Sequence, residues 1–93
     1  MARLYSDEAC VERRRRIRVA LFAYAYEFEA ESMVSDADFD ALALRVDTSV
    51  DTGHPVLDAW FRQHFQPHTG QWIHAHPELD GIREIYTRLQ TTY

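Results

Sequence analysis

The amino-acid sequence predicts an all-α protein, one small domain of about four helices around a long, central first helix. Three observations carry this. Residues 7 to about 32 contain no proline or glycine. Three later segments place apolar residues at the three- and four-residue steps of one helix face. No stretch reads as a confident strand. At 93 residues with 46% hydrophobic composition, the chain can build one well-packed core.

Ser6 followed by Asp7 and Glu8 reads as an N-cap with two acids in the first turn, where they complement the helix dipole. The helix expected from there has two apolar rows. Ile17, Leu21, Tyr24 and Phe28 lie on one face, with Val19, Phe22 and Tyr26 nearly opposite. Such a helix is normally central, its neighbours covering both rows or its second row meeting a partner. Arg13, Arg14, Arg15, Arg16 and Arg18 point all around it, so they are expected to be solvated or paired with acids further on, not to track a phosphate backbone.

A second helix is expected from about Asp36 to Val46. Ser35 and Asp38 have capping-box spacing, and Phe39, Leu42, Ala43 and Val46 form the apolar face. The turn-rich stretch 47–54 leads to Pro55, which suits the first position of a third helix bearing Leu57, Trp60, Phe61 and Phe65. Residues 67–70, PHTG, end it. Residues 71–74 are either an extended crossing segment or one helical turn. Pro77 is expected to open a fourth helix in the same way, with Leu79, Ile82, Ile85, Tyr86 and Leu89 inward and residues 90–93 fraying.

Charge is uneven. Residues 1–25 carry +3, residues 26–58 carry −8, and the remainder is balanced. All ten basic residues are arginine, which excludes any mechanism that needs a lysine of this chain. The single Cys10 excludes an internal disulfide and fits a reducing compartment. With no long apolar run and no signal-peptide pattern, a cytoplasmic protein without membrane contact is expected. His64, His68, His74 and His76 lie close in sequence, but Pro67 separates the first pair, so buried or capping histidines are expected and no metal site. Trp72, if exposed, is a candidate contact residue.

The stretch from Tyr24 to Asp40 resembles the small N-terminal helical domain of bacterial NAD-dependent DNA ligases. There a helix ending in Tyr-x-Tyr-His is followed by a loop and Ser/Pro-Asp-Ala-Glu-Tyr-Asp-x-Leu. Here Tyr24-Ala25-Tyr26-Glu27 and Ser35-Asp36-Ala37-Asp38-Phe39-Asp40-Ala41-Leu42 stand at those places, with an ungapped step of ten residues from Tyr26 to Asp36. The resemblance covers residues 13 to 47, with residues 55 to 90 as a two-helix extension. It implies a site for the nicotinamide mononucleotide half of NAD, formed by Tyr24, Tyr26, Asp36, Phe39 and Asp40. Glu27 replaces the family's histidine, and Phe39 replaces a tyrosine. Without a lysine the chain cannot form the lysyl-AMP intermediate of ligation.

A non-catalytic binding protein is therefore expected. The first reading is protein–protein contact, in the manner of a phage protein that modulates or inhibits a host complex. The contact residues are then Glu27, Glu29, Glu31, Asp38 and Trp72, with the acidic middle imitating nucleic acid. The alternative is a binding module for nicotinamide nucleotides, NMN or NAD. Nucleic acid itself is a disfavoured partner, because the acidic segment would repel it.

Overall fold

The computed structural model describes residues 7–92, and its described residues form helices without strands. Helix α1 spans Asp7–Glu29, α2 Asp36–Arg45, α3 Pro55–His64 and α4 Leu79–Thr92, with a short 3-10 helix at Gln71–Ala75 between α3 and α4. The expected cap at Ser6 lies outside the described residues. Helix α1 touches α2, the 3-10 helix and α4. It is the central element.

The two expected rows on α1 are not how the helix is buried. Val19, Ala20, Leu21, Ala23, Tyr24 and Ala25 are all buried, so this segment is enclosed on nearly every side. Alanines at these positions let neighbouring elements approach closely. Row ends escape instead, since Ile17 is 39%, Phe28 38% and Tyr26 61% exposed. The core joins Val19, Ala20, Ala23 and Tyr24 to Leu42 and Ala43 of α2, Phe61 of α3, Trp72 and Ile73 of the 3-10 helix, and Ile82 of α4. Complete burial of a side chain such as Ile73 or Val19 contributes about 1.5–3 kcal/mol.

Local signals fix some boundaries. Ser35 Oγ accepts the Asp38 N–H at 3.1 Å, and Pro55 occupies the first turn of α3. His54 caps α3, its Nδ1 accepting the Leu57 N–H at 3.3 Å. Two boundaries differ from expectation. Helix α1 stops at Glu29 because Ala30 adopts φ 53°, which turns the chain so that the Glu31 N–H reaches back to the Ala25 carbonyl at 3.0 Å. Pro77 does not open α4. His76 Nδ1 accepts the Glu78 N–H at 3.0 Å, holding a turn, and the helix begins at Leu79. At the other end α4 continues to Thr92 where fraying was expected.

The arginine run divides. Arg13, Arg14 and Arg18 are exposed as expected, but Arg16 is buried at 4% exposure. Its Nε donates to Glu12 Oε2 at 2.8 Å and its Nη1 to Asp58 Oδ1 at 2.7 Å. Nη2 donates to the carbonyls of Asp47, at 2.7 Å, and Val50, at 3.1 Å. Arg15 also donates to Glu12, so two arginines balance two carboxylates. The guanidinium further lies over the Phe61 ring, 5.3 Å from its centroid. Burial alone would raise the Asp58 carboxyl, but two donors from Thr52 and the Arg16 charge hold it below the usual carboxylate range.

Beside this network, Trp60, Phe61, Phe65 and Trp72 pack edge to face or tilted, and His76 joins them 5.1 Å from Trp60. Trp72 is therefore a core residue, its Nε1 donating to the Thr69 carbonyl at 2.7 Å. This corrects its assignment as an exposed contact. Burial pushes His76 below its ordinary pKa, with nearby Glu78 opposing. No helix of the described residues is long and apolar enough to cross a membrane.

Candidate functional site

A cleft of about 390 Å³ opens where the end of α1 faces the start of α2. Helix α1 supplies Phe22, Ala23, Tyr26 and Glu27, positions that share one side of a helix. The turn at Ala30 directs Ser32, Met33 and Val34 across one end. Helix α2 supplies Asp36, Phe39 and Asp40, at i, i+3 and i+4. Residues 68–71 close the remaining side. The wall fits tightly at Gly70, where an added Cβ would lie 3.3 Å from Ala23 Cβ and 3.7 Å from Phe39 Cζ.

Four of the five expected ligand residues meet here: Tyr26, Asp36, Phe39 and Asp40. Tyr24 does not. It is 1% exposed in the core, its hydroxyl donating to Glu29 Oε2 at 2.7 Å and accepting from Arg83 Nε at 3.2 Å. Burial, then the Glu29 hydrogen bond, raise its pKa. Phe22, His68, Gly70 and Gln71 were not anticipated as part of the site. Phe22 carried a signal, lying one helical turn before Tyr26.

The acids of residues 26–58 do not share a face. Glu27 lines the cleft and pairs with His74 Nε2 at 2.8 Å. Glu29 serves Tyr24, and Glu31 accepts from Gln90 of α4 at 3.3 Å. Asp47 Oδ1 binds Ser49 at 2.6 Å, Asp58 is buried against Arg16, and Asp38 is exposed on α2. Asp51 accepts the Gly53 N–H at 2.8 Å, and Asp36 and Asp40 remain, exposed and with carboxylates that neither form an ion pair nor accept a hydrogen bond among the described residues.

A second concavity, about 210 Å³, lies between α1 and α4. Ile17, Leu57, Phe61, Ile82 and Ile85 make it apolar, and His54 Nε2 meets Glu78 Oε2 at its edge at 3.1 Å. Exposed Arg13 is its one lining charge without an ion pair among the described residues, whereas the first cleft presents free carboxylates beside aromatic rings. Of the four clustered histidines expected to be buried or capping, only His76 is; His64, His68 and His74 are exposed, with His64 stacked on Trp60 at 5.4 Å and His74 4.6 Å from Phe28. Compared with known proteins, the chain matches no family model, no curated protein and no solved structure.

Proposed function

We propose that this chain is a non-catalytic binding module whose site is the cleft between α1 and α2, and that it takes ligands of the nicotinamide-nucleotide class. One observation carries the reading. Tyr26, Asp36, Phe39 and Asp40, the positions at which the chain resembles the NMN-binding domain of NAD-dependent ligases, line one open concavity. A packed scaffold without a site would have buried Tyr26 and Phe39 against each other. Tyr26 is instead 61% exposed. Aromatic faces suit stacking on a pyridine ring, and carboxylates suit ribose hydroxyls and the carboxamide. The scattered acids weigh against a nucleic-acid-mimicking face.

Protein-detected NMR titration with NMN and then NAD tests this reading. Saturable shifts confined to the amides of residues 22–27, 36–40 and 68–71 are expected. No shifts at millimolar ligand would remove it.

A second reading, protein–protein contact, is favoured by the α1–α4 groove, beside which Ile17 is 39% and Ile85 36% exposed. If it holds, Ile85→Glu abolishes capture of a partner from bacterial lysate and leaves the fold intact.

A further inference from the structure

We propose that the α1–α2 cleft selects planar organic cations, so that among nicotinamide compounds it prefers the phosphate-free N-alkylated pyridinium to the phosphorylated nucleotide. The inference rests on the reading of this cleft as a small-molecule site and adds the charge of its ligand.

The walls provide flat faces and negative charge together. Phe22, Tyr26 and Phe39 line the cleft, and aromatic faces attract a cation through the ring quadrupole. Glu27, Asp36 and Asp40 line it as well, while none of the arginines among the described residues does. Its one basic lining side chain is the exposed His68.

These carboxylates are not equivalent. Glu27 already has His74 at 2.8 Å. Asp36 and Asp40 lie four residues apart on α2, so two like charges neighbour each other on one helix face with no partner. An incoming cation relieves that repulsion, and an incoming phosphate adds to it.

A phosphate would meet the exposed His68 and the N-terminus of α2, since helix N-termini attract anions. That end is already part-filled: Ser35 Oγ takes the Asp38 N–H at 3.1 Å, and Asp36 places its own carboxylate in the first turn. The cleft thus offers aromatic contact and counter-charge to a pyridinium, and sets three carboxylates against a phosphate.

Calorimetric and NMR titrations at neutral pH with 1-methylnicotinamide, nicotinamide, nicotinamide riboside and NMN test this. The cationic 1-methylnicotinamide should bind about three- to tenfold more tightly than neutral nicotinamide, and the riboside more tightly than NMN by a similar factor. Added salt should weaken the cations and leave nicotinamide unchanged. Asp40→Asn, an exposed change that the fold tolerates, should lower affinity for the two cations alone. NMN binding as tightly as the riboside would overturn the charge preference while leaving a nicotinamide site in place. Absence of shifts at the cleft with all four compounds would overturn both.

Discussion

Arg16 and Asp58, forty-two positions apart in the chain, meet at 2.7 Å in the interior, each side chain only 5% exposed. The pair joins α1 to α3, and Thr52 fills the remaining acceptor capacity of Asp58. Removing one member of such a pair leaves an uncompensated buried charge. Arg16→Met should therefore cost about 3–5 kcal/mol, enough to unfold a domain of marginal stability. Exposed Arg14→Ala should change stability by less than about 0.5 kcal/mol. Urea denaturation of the two variants checks the contrast, and equal losses would contradict the burial of Arg16.

Stability should fall with acid in two steps. His76 has a folded pKa below its ordinary 6.5, so its contribution is complete above that value and is lost as pH drops below it. Asp58 is likewise depressed from 3.8, so its contribution persists above 3.8 and disappears as pH falls through the folded value. Melting temperatures measured from pH 8 to 3 should show a first decline beginning near 6.5. His76→Asn, whose Oδ1 can accept the Glu78 N–H, should abolish that first decline at some cost in stability at neutral pH.

The two tyrosines of the Tyr24-Ala25-Tyr26 segment should separate cleanly. Tyr24→Phe removes a hydroxyl held between Glu29 and Arg83 and should cost about 0.5–1.5 kcal/mol without altering ligand affinity. Tyr26→Ala should leave stability nearly unchanged and eliminate NMR shifts on ligand addition. Paired thermal melts and titrations would show it. The reverse pattern would place the site on the other side of α1.

Ala30→Gly should stabilise the protein by about 0.5–1 kcal/mol, because φ 53° strains an alanine and suits glycine. A loss of stability in chemical denaturation would mean that this turn is not the end of α1 in solution.

Asp40→Asn should have opposite effects on its two readouts. In the free protein it removes a like-charge neighbour of Asp36 and should stabilise the fold by about 0.2–0.5 kcal/mol at low salt. The same change should weaken cation binding. A destabilised free variant would show that the Asp40 carboxylate has a stabilising partner.

What could be read from the sequence was what short range decides. The Ser35 cap, Pro55 at the start of α3, the apolar face of α2 and the turn at residues 67–70 all follow from neighbours within one helical turn, whereas Ile85, expected inward on α4, is 36% exposed. The end of α1 was not legible, since an alanine in the left-handed region leaves no glycine to mark it. The start of α4 was missed because His76, packed against Trp60 and Phe61, captures the Glu78 amide and displaces the helix by two residues. Arg16 looked like its neighbours because, apart from Glu12, its partners lie beyond residue 46. At the candidate site, Tyr26, Asp36, Phe39 and Asp40 had been singled out by the resemblance to the ligase domain, and they line one cleft. Tyr24 was misplaced with them, although residues two apart on a helix face nearly opposite sides.

The contacts of Arg16 also impose an order in time. Its partners Asp47, Val50 and Asp58 lie 31, 34 and 42 positions away, so none can be reached until α3 has docked on α1. Before that, the arginines at 13, 14, 15, 16 and 18 repel one another along a lone helix. Damage to this set of contacts should therefore accelerate unfolding more than it slows folding, which the two arms of a denaturant chevron for Arg16→Met would read separately.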